Sequence, residues 1–207
     1  MTNDNEISLP NYILKSMAGA WKLVNANPKS MEYLDLSSDG FWKSFWALAV
    51  MIPAFILEII YGSQSEISQP FATKAIYFFI SLPIMAIVML YFTRFMNIST
   101  NYAPMVIAYN WLNAMIYNIL IAVGLILNLL APEIQVTGIV MLIARVYFGL
   151  FVVWHTLKIS LAISGMLAVG VLIFVNVFNA VLQVLILKVF NPETFELMFK
   201  VASNQPL

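Results

Sequence analysis

Two ionisable residues stand inside apolar surroundings and ask for a chemical reason. Glu58 lies near the end of the run Phe41–Gly62, FWKSFWALAVMIPAFILEIIYG, and Arg145 lies about nine residues into a later run that begins near residue 136. A charge placed inside a membrane span costs a few kcal/mol on insertion scales, so each such group needs a partner or water. Glu58 follows Lys43 by 15 residues, which is about 22 Å along a helix. It therefore nears the far end of the first run, while Arg145 follows the entry of the fourth run from that same side. A buried Glu58–Arg145 pair that fixes helix register is the expectation. Two alternatives stay open: the charges belong to a polar cavity or proton path, or Glu58 pairs with Lys74 at headgroup level.

Two amide-rich seams come next. Asn110, Asn113 and Tyr117 follow i, i+3, i+7 spacing, and so do Asn176, Asn179 and Gln183, which puts each trio on one helix face. In lipid, amides hydrogen-bond between helices, so the plain expectation is interhelical glue, and the sharper one is a solvated groove or ligand site. Asn118 and Asn128 share the first of these helices but fall off its stripe or near its end. Pro53 lies nine residues before Gly62, and Pro83 nine residues after Lys74. On antiparallel helices they would stand at similar depth, each freeing a backbone carbonyl one turn back that must be satisfied internally. Matched packing bends are expected, with a cavity or gate as the alternative.

Other chemistry is scarce. His155 is the one histidine, it neighbours Trp154, and an interface role is expected of it. There is no cysteine, which removes disulfides and thiolate metal sites. No glycine-rich loop could cradle phosphate, and too few carboxylates lie outside the apolar runs for metal-assisted transfer. No catalytic, cofactor-binding or metal-binding residue is assigned, and the expectation is a protein that is not an enzyme and carries no cofactor.

The elements that must position these residues follow from composition. Of 207 residues, 62% are apolar and 10% charged, with a mean hydropathy of +0.88. About a quarter of a soluble domain is charged, so most of this surface must face lipid. Ten basic and ten acidic residues leave no net charge, which argues against a nucleic-acid partner. The fold class expected is an all-α integral membrane protein, five transmembrane helices preceded by an amphipathic N-terminal helix. The spans fall near 41–62, 74–96, 103–130, 136–157 and 165–190. The last break is the weakest, because Lys158–Ser164 holds few turn residues, and a re-entrant segment within 136–190 is the alternative.

Residues 1–40 form a cytoplasmic lead-in whose helix covers 7–26. Ile13, Met17, Trp21 and Val24 lie on one of its faces, packed on the spans or laid on headgroups with Trp21 as anchor. Ser38, Asp39 and Gly40 supply cap chemistry for span one. Residues 191–207 are expected to be a short polar tail. The N-terminal residues MTNDNEISLP lack the apolar core of a signal peptide. Lys15, Lys22, Lys29, Lys43, Arg94 and Lys158 collect on one side, against Lys74, Lys188 and Lys200 on the other. This favours a cytoplasmic N-terminus and an external C-terminus.

The layout of a partly helical lead-in, five compact spans and a short tail resembles the Yip family of Rab-GTPase-interacting membrane proteins and their bacterial relatives. Tyr102-Ala103-Pro104 opening span three, and LKISLAISGMLAVGVLIFVNV across spans four and five, look similar to the later half of that family. Its Asp-Leu-Tyr-Gly-Pro type motif is missing, so no functional residue carries over. The short loops, the lack of a soluble domain and the entry LDLSSDGFWKSFWA look like a bacterial inner-membrane protein, and the expected role is to organise or scaffold other membrane components, with the bilayer and a homo-oligomer or membrane-protein partner as its contacts. The alternative is a small permease or transporter subunit with a polar path through the bundle.

Overall fold

The structure, a computed structural model, describes residues 8–62, 70–130 and 134–202, and all their regular structure is helical. Five helices are long and apolar enough to cross a membrane: Ser38–Tyr61, Phe71–Phe95, Ser99–Leu130, Thr137–Leu161 and Gly165–Phe190. The chain is an all-α integral membrane protein, as its composition dictates.

Helix α1 covers Leu9–Val24 and starts with Pro10 in its first turn, where the missing N–H matters least. Its packed face is Tyr12, Ser16, Gly19, Ala20, Leu23 and Val24, whereas Trp21 is exposed. The buried stripe is thus rotated from the expected Ile13–Met17–Trp21–Val24 line. Small residues decide it, because Gly19 lies so close to the Tyr33–Leu34 connector that an added Cβ would stand 2.9 Å from the Leu34 side chain.

Span one is built from α2 (Ser38–Lys43), a 3₁₀ turn (Ser44–Trp46) and α3 (Ala47–Gly62). Its cap is Ser37, one residue before the expected group: the Gly40 N–H donates to the Ser37 hydroxyl at 3.0 Å. Gly40 is obligatory there, since a Cβ would stand 2.0 Å from the Asp35 carbonyl oxygen. The Gly40 carbonyl accepts from the Tyr12 hydroxyl at 3.0 Å, and Tyr12 packs edge-on against Trp111 with ring centroids 5.8 Å apart. One residue of the lead-in thereby ties together spans one and three.

Span two is α4 (Phe71–Phe95) and span three is α5 (Tyr102–Leu130). Pro53 and Pro83 lie within α3 and α4, and both helices continue through them. The carbonyls freed are those of Ala49 and Phe79; beside them, Asn118 Nδ2 donates to the Val50 carbonyl at 3.4 Å, and the Ser81 hydroxyl to the Phe78 carbonyl at 3.3 Å.

Span four is α6 (Ile134–Val146), a π-helical stretch (Tyr147–Val152) and α7 (Val153–Leu161). It ends sharply at Ala162, whose φ of 54° is left-handed, and Ser164 then caps α8 (Gly165–Phe190) by accepting from the Leu167 N–H at 3.3 Å. The weak break in the sequence is therefore a true turn, and it separates two helices that are each long and apolar enough to cross a membrane. The expected polar tail also differs, because Pro192–Ala202 forms a further helix, α9, that packs on α8.

The bundle has a dense end and an open one. The buried core joins α1 to the first half of α5 (Met105–Leu112, with Trp111 and Leu112 fully buried), to α7 and to the first half of α8. Toward the other ends of α3 and α5, side chains become progressively exposed, and α6 shows Ile139, Leu142 and Ile143 on the outer surface.

Candidate functional site

The open end of the bundle contains a cavity of about 450 Å³ enclosed by α3, α4, α5 and α8. Each helix supplies polar side chains from one face, α3 a single one. From α3 comes Glu58, from α4 Lys74, Tyr77 and Ser81, from α5 Tyr109, Asn113 and Tyr117, and from α8 Asn179 and Gln183. The stacked rings of Phe55 and Phe78, 4.3 Å apart, form an apolar part of the wall. Lys74 and Ser81 lie three and ten residues after the start of α4, which places them about 4 and 15 Å into the span. The polar lining thus reaches roughly halfway through a hydrocarbon core of about 30 Å.

Glu58 is the electrostatic centre. One carboxylate oxygen accepts the Tyr117 hydroxyl, and the other faces Lys74 Nζ at 3.9 Å. The expected Glu58–Arg145 pair is not formed. Arg145 sits exposed on α6, which packs beside α5 and away from the wall that holds Glu58. Glu58 instead takes the alternative partner, Lys74, for a geometric reason: α3 and α4 run antiparallel, so residues just before Gly62 and just after Phe71 meet at one depth. Deeper in, the Tyr77 hydroxyl donates to Asn179 Oδ1 and Asn179 Nδ2 donates to the Tyr109 hydroxyl, both at 3.4 Å. These contacts are long for hydrogen bonds, whose usual range ends near 3.2 Å.

The two seams divide between cavity and scaffold. Asn113 and Tyr117 line the cavity, with Asn113 Nδ2 donating to the Tyr109 carbonyl at 2.7 Å. Asn110, one and two turns nearer the dense end, is 1% exposed and donates to the Ser44 hydroxyl at 2.9 Å. It is interhelical glue. On α8, Asn179 and Gln183 reach the cavity, whereas Asn176 is exposed and donates to its own Leu172 carbonyl at 2.9 Å. Asn118 also turns to backbone carbonyls, and Asn128 is exposed near the end of α5.

Tyr77, Ser81 and Tyr109 are not singled out by the sequence reading, although a signal for them exists. Lys74, Tyr77 and Ser81 repeat the same i, i+3, i+7 spacing, and Tyr109 precedes Asn113 by one turn. His155 lies half-buried on α7, remote from the cavity, next to a Trp154 whose Nε1 donates to the Gly165 carbonyl at 3.0 Å. Among the described residues, no cluster of three or more His, Asp or Glu side chains could hold a metal ion.

The arrangement can bind. It offers a carboxylate, an ammonium, three phenols and three amides in one half-membrane chamber. No protein-family model, no curated protein and no solved structure matches the chain. Its class accordingly rests on the fold itself: a polytopic α-helical membrane protein with five spans and a polar cavity among four of them.

Proposed function

We propose that this protein admits a small polar solute into the cavity among α3, α4, α5 and α8 and acts as a small permease or as the binding subunit of a transporter. The observation that carries this reading is the convergence of polar side chains from four spans on one chamber. Polar groups in spans are held where they face protein, water or substrate. Simple glue would place amides between two helices, as Asn110 does, and not around 450 Å³ of shared space. The test uses a chain without native cysteine. Asn179→Cys and Gln183→Cys should react with a small charged thiol reagent added to the side where the cavity opens. Failure of both to react from either side overturns the reading.

The organising or scaffolding role is the second reading, and Arg145 supports it. An exposed guanidinium on the apolar surface of span four is a natural contact for another membrane component. Cross-linking from the α6 face should then capture a homo-oligomer or a stable partner, and a monodisperse monomer in native lipid counts against that role. In both readings the protein is not an enzyme and sits in a bacterial inner membrane, its N-terminus cytoplasmic and its C-terminus external, with Yip-type kinship supported by layout alone. Reporter fusions at the two termini test the orientation: activity of a periplasmic reporter at the N-terminus would reverse it.

A further inference from the structure

We infer that the ligand of the cavity is a compact zwitterion, an ammonium group within a few ångströms of a carboxylate or phosphate, held by Glu58 and Lys74 together. This inference rests on the proposed binding role of the same cavity and adds the ligand's class.

Charge balance carries the argument. Among the described residues the lining holds one carboxylate and one ammonium, and they face each other at 3.9 Å. A direct charge-assisted hydrogen bond between such groups closes to about 2.7–2.9 Å, so the pair stands open by about an ångström. Glu58 keeps one oxygen on the Tyr117 hydroxyl and turns the other toward Lys74. Among the described residues Lys74 has no closer acceptor, although an ammonium carries three donors. An opened pair in a chamber of low polarity is complementary to a molecule with the same two charges in reverse order. A simple cation entering the site would meet the Lys74 ammonium, and a simple anion would meet Glu58, so each is repelled by one half of the pair. A neutral polyol could use the amides but would leave both charges unanswered.

A zwitterion alone answers both, its ammonium on Glu58 and its acidic group on Lys74. The rest of the molecule then extends toward the Tyr77–Asn179–Tyr109 chain, whose 3.4 Å contacts are loose enough to open for a ligand. The cavity lies inside the membrane, so two sources present this chemistry: a free α-amino acid and the headgroup of an ethanolamine phospholipid.

The experiment uses the full-length protein in nanodiscs of phosphatidylglycerol, read by thermal unfolding. L-Alanine, methylammonium chloride, sodium acetate and glycerol are added separately. In a second arm phosphatidylethanolamine is mixed into the disc. The expected result is a concentration-dependent rise in Tm with L-alanine, marking a free solute, or with phosphatidylethanolamine, marking a lipid. Methylammonium, acetate and glycerol should leave Tm unchanged. Glu58→Gln and Lys74→Met should each weaken the response at least tenfold. The double variant should stay weak, while the charge-preserving Lys74→Arg, checked for folding by its melting without ligand, should retain most of it.

A Tm rise as large with glycerol, acetate or methylammonium, or undiminished zwitterion binding by the double variant, overturns the inference. So does the absence of any response to both zwitterions. Thiol labelling at Asn179 and Gln183 separates the two claims: reactive positions without zwitterion binding sink the ligand class alone, and unreactive positions sink the cavity's binding role itself.

Discussion

At the scale of single residues, Glu58 is defined by two neighbours of unlike character. The Tyr117 hydroxyl donates to it from α5, and Lys74 faces it from α4. Hydrogen bonds between transmembrane helices contribute about 0.6 kcal/mol on average and up to about 1.7. Tyr117→Phe should therefore destabilise by about 1 kcal/mol in a reversible unfolding assay, and pairing it with Glu58→Gln should be non-additive. Glu58→Ala and Arg145→Ala, in contrast, should add within about 0.5 kcal/mol, because the two residues share no partner among the described residues. A large coupling energy between them would restore the pair expected from sequence. Gly40 gives a sharper test. Its Cβ position is 2.0 Å from the Asp35 carbonyl, so Gly40→Ala should lower stability by about 2 kcal/mol or more, and an unchanged Tm would mean the lead-in packs otherwise. Tyr12 adds a pH dependence. Burial pushes its hydroxyl above the ordinary value near 10. The folded state favours the neutral phenol, so this contribution is complete below pH 10 and is lost as pH rises through the higher folded value. Tyr12→Phe should flatten the alkaline part of the stability profile.

At the scale of elements, the spans were legible because physics leaves them few options. A stretch of about 20 apolar residues must satisfy its backbone internally, and a helix is the way a single segment does so. The weak break after span four was legible only as an excess of length, because its turn uses Ala162 where glycine is the usual left-handed residue. Ala162→Gly should stabilise by about 1 kcal/mol, since L-residues pay roughly that much to hold the left-handed conformation. A loss of stability would show that the methyl group packs usefully. The π-helical stretch Tyr147–Val152 left no trace in the pattern, whereas the helix Pro192–Ala202 carries a start signal, Asn191 as its cap followed by Pro192 and Glu193. The first follows from packing, with α7 seated in the core and α6 standing out from it. Helix α1 shows a different limit: periodicity gave a face, but the close approach at Gly19 set its rotation.

At the scale of the molecule, the chain separates a dense end that fixes its shape from an open end that holds the polar chamber. Half of the chamber was legible: Glu58, Asn113, Tyr117, Asn179 and Gln183 announce themselves as polar groups at helical spacing in apolar runs. Which of them share space was not, because sequence spacing orders residues on one helix and says nothing of how helices rotate against one another. Asn176 and Asn179 belong to one seam by spacing, yet one is exposed on the bundle surface and the other lines the chamber. That contrast gives the most direct measurement of the central claim. Single cysteines at positions 176, 179 and 183, in membranes of defined orientation, are exposed to a small charged methanethiosulfonate. The account predicts modification at 179 and 183 from one side only, with 176 inert against lipid. Equal reactivity at all three, or none at 179 and 183, would contradict it.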